Sequence, residues 1–314
     1  MTVKSPQPWR DVLEAGNPRD IAQCITIVEN SGEQTREILN SLPLPTAHVI
    51  GLTGPPGVGK STSTSAFVSE LRSKGHRVAV LAVDPSSPYS HGALLGDRIR
   101  MQQHAGDSDV FIRSLAARGH LGGLTETTLD VITVLSAARF SHIILETVGV
   151  GQSEIDIAHA ADTTIVITAP GMGDGIQAAK AGILEIADIF AVNKADRAGA
   201  DITARELKGM LSLSPESDGW VPPVILTVAT TGRGFDELAA AVQEHWEYLE
   251  TSGEKDSRRI GRLRDYIIAR SLAQVKRSMV QTEGQLDIAA RVSTGELNTE
   301  QAVAEIIKAQ QERT

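Results

Sequence analysis

The sequence predicts an α/β fold in which a mostly parallel β-sheet carries helices on both of its faces. The first observation is a long central region, residues 46 to about 250, where short apolar runs alternate with amphipathic helical segments. The second is that these runs are nearly continuous, which is typical of strands buried on both faces. The third is the length of 314 residues, which suits one large domain with additions.

The apolar runs have the length of strands and are bounded by turn residues or by a helical pattern. They are residues 48–52, 78–84, 110–114, 142–146, 164–169, 189–193 and 224–228. Because helical segments separate them, we expect crossover connections that make neighbouring strands parallel.

Helical segments flank this region at both ends. Residues 1–45 carry apolar side chains at helical spacing, among them Ile21, Ile25 and Val28, and end in the proline-bounded linker SLPLPTAH. We therefore expect three parts, namely an N-terminal helical segment (1–45), the α/β domain (46–250) and a C-terminal helical segment (251–314).

The C-terminal segment has two interpretations. Its apolar residues recur at helical spacing, with arginines and lysines between them; they are Ile260, Leu263, Ile267, Val275 and Met279. Either the helix packs on its own domain and exposes a basic face, or it binds a partner or a second copy of the chain. The α/β domain is complete by residue 250, which adds weight to the second interpretation, but the pattern leaves both open.

Composition and charge disfavour several classes of function. Acidic residues outnumber basic ones by 39 to 30, for a net charge of −9, which argues against a broad nucleic-acid surface. The single cysteine, Cys24, excludes an intramolecular disulfide, and its helical apolar surroundings predict a buried structural thiol. With no long apolar run and no signal-peptide pattern, we expect a cytoplasmic protein without a membrane segment.

A phosphate-binding loop follows the first predicted strand. Gly54, Gly59, Lys60 and Ser61 match G-x-x-x-x-G-K-[ST], and the loop opens a helical run. Glycines let backbone N–H groups curl around phosphate oxygens, and the helix N-terminus adds positive potential. Lys60 brings a charge to the β- and γ-phosphates, and the Ser61 hydroxyl can ligate Mg²⁺. The predicted phosphate site comprises Gly54, Pro55, Pro56, Gly57, Val58, Gly59, Lys60, Ser61 and Thr62.

A motif that distinguishes nucleotide bases ends a later strand. Asn193, Lys194 and Asp196 form N-K-x-D. The Asp196 carboxylate can accept hydrogen bonds from the ring N–H and the exocyclic amine of guanine, a donor pair that adenine lacks. An unpaired buried polar group can discriminate by roughly 10⁴-fold, so we predict GTP or GDP as the ligand. A solvated polar turn is the alternative, which the position of the motif after a phosphate loop disfavours.

Two other features of the base site are expected nearby. Asn193 is placed to tie loops together, and the aliphatic stem of Lys194 to lie along the base. Val228, Ala229 and Thr230 follow the next strand and stand where GTPases often have Ser-Ala-x. We expect backbone groups of this segment to contact the base.

A magnesium site is predicted at the same edge of the sheet. Glu146 ends an apolar strand, and Gly149 follows it three residues later, where most GTPases have D-x-x-G. Asp84 ends the second strand, and Asp97 follows in GDRIRM. We expect Ser61, Asp84, Asp97 and Glu146 to bind or surround Mg²⁺, and the Gly149 N–H to sense the γ-phosphate. An Asx turn at Asp84 and a helix cap at Asp97 are the alternatives.

The residues expected at the catalytic centre are Lys60, Asp84, Glu146 and Gly149. Gln152 receives no catalytic role, because the water-orienting glutamine of small GTPases directly follows the glycine and Gln152 does not. Several arginines could neutralise transition-state charge, and the sequence does not select among them; they are Arg98, Arg100, Arg113 and Arg118.

These motifs together resemble a known family. The stretches GPPGVGKST, VDPSSP, GDRIRM, ETVGVGQSE, PGMGDGIQAAKAGILEIADIF and NKADR are similar to those of the MeaB/ArgK family. Its members are G-protein chaperones of adenosylcobalamin-dependent acyl-CoA mutases, above all methylmalonyl-CoA mutase. The resemblance covers nearly the whole chain.

The resemblance implies a P-loop GTPase fold with a helical N-terminal segment and a helical C-terminal dimerisation arm. It implies a homodimer with slow, Mg²⁺-dependent GTP hydrolysis that the mutase stimulates. Such a protein gates cofactor loading and protects or reactivates the mutase. Residues 171–182 would form an extra switch that couples the nucleotide state to the mutase, and Gly175 stands where family members often carry an acid.

Four other functions use a phosphate loop. An ATP- or GTP-dependent kinase linked to lysine, arginine or ornithine transport is disfavoured by the guanine motif and by the lack of a kinase catalytic loop. A nickel-insertion GTPase needs clustered Cys and His, which one Cys and eight scattered His do not provide. Protein targeting calls for a Met-rich domain, and the chain has five Met. A binding module with no hydrolysis remains an alternative.

Overall fold

The computed structural model describes residues 9–30, 32–84, 102–104, 106–116, 126–147, 153–171, 184–212, 219–280 and 284–311. Its centre is a seven-stranded sheet in which the strands pair in parallel, in the order β3-β2-β4-β1-β5-β6-β7. The strands are β1 His48–Thr53, β2 Val78–Asp84, β3 Val110–Ala116, β4 His142–Thr147, β5 Thr163–Thr168, β6 Ile189–Val192 and β7 Val224–Leu226. Every predicted strand is present, so the predicted α/β class is confirmed.

Helices separate the strands and extend the chain at both ends. They are α1 Trp9–Glu14, α2 Pro18–Glu29, α3 Glu33–Ser41, α4 Lys60–Ser73, α5 Glu126–Ala137, α6 Ser153–Ala160, α7 Ala200–Leu211, α8 Phe235–Ser252, α9 Glu254–Val280, α10 Gly284–Ser293 and α11 Thr299–Gln311. A 3₁₀ turn at Gln102–His104 and a single helical turn at Leu184–Ile186 complete the described elements.

The sheet is buried on both faces because side chains alternate along each strand. In β4, Ile143 and Leu145 belong to a cluster that includes α1–α3, α5 and α6, while Ile144 belongs to a second cluster with α4 and α8. A third cluster packs α7 against Phe190 of β6. The helices therefore cover both faces, as the near-continuous apolar runs require.

The N-terminal helices share the core of the sheet. Helix α2 begins at Pro18, whose fixed φ suits the first helical position, and the Asn17 Oδ1 accepts a hydrogen bond from the Arg19 N–H at 2.9 Å. Its buried face consists of Ile21, Cys24, Ile25 and Val28. Burial raises the pKa of the Cys24 thiol to about 12, which confirms the predicted structural thiol.

Two carboxylates lie at the amino edge of the sheet, where β5 and β6 begin. The Arg258 guanidinium donates to both Asp188 oxygens, at 3.1 and 3.3 Å. Arg259 donates to Asp162 at 3.4 Å and also to the backbone oxygen of Ala47 at 3.2 Å. The start of α9 is thus held against the sheet by charge-assisted hydrogen bonds.

Buried histidines lie at the same edge. The His48 ring stacks on Trp246 with centroids 4.2 Å apart, and its Nε2 lies 2.8 Å from the Thr163 hydroxyl. Burial lowers the pKa of His48 to about 3 and that of His142 to about 4. Both imidazoles are therefore neutral in the folded protein near pH 7.

The chain forms two compact units, residues 1–259 and 260–314. In the second unit, Arg291 of α10 binds Glu305 of α11 at 2.9 Å. Along α9 the apolar side chains of Ile260, Ile267 and Leu272 are more than half exposed. Among the described helices, none has the length and apolar character needed to cross a bilayer.

Candidate nucleotide-binding site

The phosphate loop lies at the carboxyl edge of the sheet, at the point where the strand order reverses. Strand β1 is central and pairs with β4 on one side and β5 on the other. After β1 the chain goes to β2, on the β4 side, whereas after the neighbouring β5 it goes to β6, on the opposite side. Crevices at such points are where open α/β sheets bind their ligands. The loop between β1 and α4 occupies this crevice.

Two loop positions require glycine. Gly54 has φ +146°, and a Cβ there would lie 2.1 Å from the Ile167 backbone oxygen of β5. Gly59 has φ +97°, and a Cβ there would lie 2.7 Å from the Asn193 Nδ2. The loop is therefore pressed against β5 at one end and against the predicted base motif at the other, contacts that only glycine allows.

The Lys60 ammonium is held across this loop. Its Nζ donates to the backbone oxygens of Gly54 at 2.7 Å and Pro55 at 3.1 Å, and the side chain is buried. A buried positive charge next to backbone N–H groups at a helix start attracts an anion. Among the remaining loop residues, Val58 is buried, and Pro56, Gly57 and Thr62 are exposed.

Oxygen ligands suited to magnesium meet beside the loop. The Ser61 hydroxyl donates to the Glu146 Oε1 at 2.6 Å. The two residues are brought together because Leu52, near the end of β1, pairs in register with Glu146, near the end of β4. A hydroxyl and a carboxylate are hard oxygen donors, so the pair fits a magnesium ion.

The other predicted metal and switch residues are only partly described. Asp84 is the last residue of β2, at the same edge as Glu146. Asp97, Gly149 and Gln152 lie outside the described residues, as does the predicted switch beyond Gly171. In the described part of the chain, no group of three or more His, Cys, Asp and Glu side chains is placed to hold a metal.

Asn193 connects the two halves of the site. Its Nδ2 donates to the Val58 backbone oxygen at 2.8 Å, and its Oδ1 accepts from the Ala229 N–H at 3.0 Å. Its own N–H donates to the Thr168 oxygen of β5 at 2.8 Å. The buried amide thus ties the phosphate loop to the segment that follows β7.

The neighbours of Asn193 place the rest of the base motif. Lys194 has φ +60°, unusual for a residue with a Cβ, and its Nζ donates to the Gly57 oxygen at 2.6 Å. The Ala195 N–H donates to the Thr227 oxygen at 3.0 Å, and Asp196 is exposed at the rim. The long Lys194 side chain therefore extends from the base motif to the phosphate loop.

The segment after β7 is a closed turn. The Val228 N–H donates to the Arg233 oxygen at 2.9 Å, and the N–H groups of Thr231 and Gly232 donate back to the Val228 oxygen. Val228 is buried, Ala229 half-buried and Thr230 exposed. The turn presents its backbone next to Asn193, where the sequence predicted base contacts.

The structure also places one candidate residue away from the site and brings two further residues to it. Arg113, one of four arginines near the predicted site in sequence, donates to the Ala22 oxygen and to Glu29 of α2 instead. Sequence reasoning missed the Thr53 and Thr147 hydroxyls, which lie 3.3 Å apart at the ends of β1 and β4. Thr53 directly precedes Gly54 and Thr147 directly follows Glu146, so their positions beside motif residues are the only sequence signal for this pair.

Comparisons with known proteins identify relatives that are named as GTPases. A profile of the family described as Methylmalonyl Co-A mutase-associated GTPase MeaB matches residues 21–283. A Pyrococcus horikoshii protein named as a GTPase is 50% identical over 260 residues, covering 81% of this chain and 82% of that protein. The mouse protein named methylmalonic aciduria type A homolog, mitochondrial, is 35% identical over 267 residues, covering 79% of this chain and 64% of its own length.

A solved structure shares the fold over the full length. The crystal structure titled LAO/AO transport system kinase has a TM-score of 0.71 and 24% identity, covering 99% of this chain and 100% of that one. At this identity the likeness shows the fold alone.

Proposed function

Because this chain belongs to the MeaB family of methylmalonyl-CoA mutase-associated GTPases, we propose that it is a Mg²⁺-dependent GTPase that serves an adenosylcobalamin-dependent acyl-CoA mutase. The observation that carries the GTPase part is the position of Asn193, which joins the phosphate loop to the turn after β7. One nucleotide would then contact both loops at once, its phosphates at Gly54–Thr62 and its base at the N-K-x-D motif.

The residues around the phosphates have distinct roles in this proposal. Lys60 neutralises charge on the β- and γ-phosphates, while backbone N–H groups of the loop donate to their oxygens. Ser61 and Glu146 would hold a magnesium ion, with Asp84 and Asp97 as further candidate ligands. Bound there, the ion would supply positive charge that stabilises the transferring phosphoryl group. The Gly149 N–H would sense the γ-phosphate.

The base is read by exposed and backbone groups. The Asp196 carboxylate accepts from guanine, and the turn Val228–Thr230 supplies backbone N–H groups. Both polar atoms of the Asn193 side chain bond to the two loops, so we assign it the role of setting the distance between them. The kinase alternative loses support, because adenine would leave the Asp196 carboxylate without a donor pair.

We propose methylmalonyl-CoA mutase as the client. The family description names this mutase, and the mouse relative is named for methylmalonic aciduria. In this role GTP binding and hydrolysis gate the loading of the mutase cofactor and protect or reactivate the mutase. Residues 171–182 would carry the nucleotide state to the client.

We also propose a homodimer formed through the C-terminal segment. Ile260, Leu263, Ile267 and Leu272 expose apolar surface along one helix, at 43–66% of their full exposure. Large apolar side chains repeated along a helix are typical of a surface that a second helix covers. Replacing Ile267 with Glu should give a monomer in sedimentation equilibrium, and an unchanged dimer would exclude this surface.

The decisive experiment is GTP turnover with and without purified methylmalonyl-CoA mutase. We expect slow turnover of the chain alone and a large stimulation by the mutase. Lys60→Ala should remove the stimulated turnover while the protein remains folded. Equal turnover in the presence and absence of the mutase would contradict the client assignment, and hydrolysis of ATP in preference to GTP would contradict the base assignment.

A further inference from the structure

Strands β1 and β4 part at the carboxyl edge of the sheet, beside the nucleotide site. The register between them ends where Leu52 pairs with Glu146. One residue later, Thr53 still pairs with β5 and Thr147 still pairs with β2. The backbone pairing of β1 with β4 therefore stops one residue before both strands end, where the phosphate loop begins.

Two threonine side chains bridge the strands beyond this point. The hydroxyl oxygens of Thr53 and Thr147 lie 3.3 Å apart, and either hydroxyl can donate to the other. The two residues are 0% and 1% exposed, so neither hydroxyl can turn to bulk water instead. This hydrogen bond continues the connection of β1 to β4 past the last backbone pair.

The threonine pair lies on the face of the sheet opposite the expected metal ligands. Because side chains alternate along a strand, Thr147 shares the face of Leu145, whose cluster includes α5 and α6. Glu146 points to the other face, that of Ile144, where its carboxylate binds Ser61 of α4. Two side-chain hydrogen bonds, one on each face, therefore connect the phosphate-loop side of the site to the end of β4.

Each threonine is one peptide bond away from a group of the site. The first directly precedes Gly54, whose backbone oxygen accepts from the Lys60 Nζ at 2.7 Å. The second directly follows Glu146, whose Oε1 accepts from the Ser61 hydroxyl at 2.6 Å. A change in the separation of the two threonines would therefore pass through the backbone to the phosphate loop and to the expected metal ligand.

We propose that Thr53 and Thr147 are positioning residues for the magnesium site. Their hydrogen bond fixes the distance between the ends of β1 and β4, and thereby the distance between the phosphate loop and Glu146. This inference rests on the proposed function. The contact of Ser61 with Glu146 lies where the ion would bind, whereas the threonine pair lies on the other face and can hold the strand ends with or without the ion.

The test measures how GTP binding and single-turnover GTP hydrolysis depend on Mg²⁺ in variants of the full chain. Thr53→Val and Thr147→Val each remove one hydroxyl and keep the shape of the side chain. Each should raise the Mg²⁺ concentration that gives half the maximal rate by at least about fivefold, which corresponds to the net contribution of one hydrogen bond. Thr53→Ser and Thr147→Ser, which keep the hydroxyl, should stay within about twofold.

The double variant, Thr53→Val with Thr147→Val, separates positioning from stability. Each single valine leaves a buried hydroxyl without its partner, so each single variant should unfold at a lower urea concentration. In the double variant neither hydroxyl remains, so the urea midpoint should recover most of this loss. The raised Mg²⁺ requirement should persist, because two methyl groups attract each other only weakly and do not fix the strand ends. A Mg²⁺ requirement that recovered together with stability would overturn the proposal.

Thr35 of α3 supplies a matched control. It is 1% exposed, and its hydroxyl donates to the Ile27 backbone oxygen at 3.0 Å, within the N-terminal helices. Thr35→Val also removes a buried hydroxyl, so it should lower the urea midpoint but leave the Mg²⁺ requirement within about twofold. An equal rise of the Mg²⁺ requirement in Thr35→Val would overturn the proposal, and so would an unchanged requirement in both Thr53→Val and Thr147→Val.

The proposed function fails separately from this inference. If the unsubstituted chain hydrolyses no GTP with or without the mutase, the GTPase assignment is wrong. Mg²⁺-dependent binding of GTP, measured by calorimetry, then still tests the threonine pair, and valine variants with unchanged Mg²⁺ dependence would refute its positioning role. An unsubstituted chain whose GTP binding did not depend on Mg²⁺ would overturn both.

Discussion

Replacing Asn193 with Ala should destabilise the fold and weaken nucleotide binding together. The side chain is 2% exposed and makes two hydrogen bonds, one to the Val58 oxygen and one from the Ala229 N–H. Leaving two such groups unsatisfied costs roughly 2–4 kcal/mol, because each costs about 1–3 and the half-buried Ala229 can recover a water. Urea unfolding followed by circular dichroism measures this loss directly.

The same substitution removes the side-chain hydrogen bonds that connect the phosphate loop to the turn after β7. GTP affinity, measured by calorimetry, should fall by at least about tenfold, which corresponds to about 1.4 kcal/mol. Asn193→Asp keeps the acceptor for the Ala229 N–H but places a buried carboxylate oxygen against the Val58 oxygen, so it should lose at least as much stability as Asn193→Ala.

An exposed substitution on α7, Lys208→Ala, is the control and should change stability by less than about 0.5 kcal/mol. The reasoning would be refuted if Asn193→Ala lost no more stability than this control. It would be refuted equally if stability fell as expected but GTP bound with unchanged affinity, because the connection that Asn193 makes between the two loops would then not matter for nucleotide binding.

Three further predictions use separate parts of the unit 1–259. Gly54→Ala should abolish measurable GTP binding in calorimetry, because its Cβ would lie 2.1 Å from the Ile167 oxygen; retained binding would show that the loop can move. Asp196→Asn should lower the affinity for GTP and reduce the ratio of GTP to ATP affinity in competition binding. An unchanged ratio would contradict the assignment of Asp196 to the guanine base. Burial lowers the pKa of His48 to about 3 and of His142 to about 4 from 6.5, so the unfolded chain binds more protons below pH 6.5. Stability in urea should therefore be full well above pH 6.5 and fall by roughly 3–4 kcal/mol between pH 7 and 5, about 1.9 for each histidine. His48→Asn should roughly halve this fall, and an unfolding midpoint that does not change with pH would contradict the reasoning.

Local sequence patterns predicted the strands and the phosphate loop because the forces behind them are local. The middle of the run 142–146, Ile143 to Leu145, is apolar on both faces, so it has to be buried on both sides, as Ile143 and Ile144 are. The spacing from Gly54 to Ser61 likewise requires a tight turn that ends in a helix. Neither inference needs to know which strands are neighbours.

Other parts of the site depend on the order of the strands, which the alternation of strands and helices does not specify. That Glu146 lies beside Ser61 follows from the pairing of β4 with β1. The Thr53 and Thr147 hydroxyls meet for the same reason, because these two residues directly follow the paired Leu52 and Glu146. The sequence leaves Arg113 among the possible charges at the site, because no pattern in it shows that α2 lies beside this residue of β3.

The position of β1 in the sheet has a consequence for synthesis of the chain. Its six residues are all buried, and its partners are β4 and β5, not the strand made next. At 5–20 residues per second, the ribosome needs roughly 4–18 seconds for the approximately 90 residues between the end of β1 and the start of β4. During that time β1 has neither of its partners, and the chain carries an apolar strand with unpaired edges. This nascent chain is thus exposed to aggregation for longer than one that begins with a hairpin.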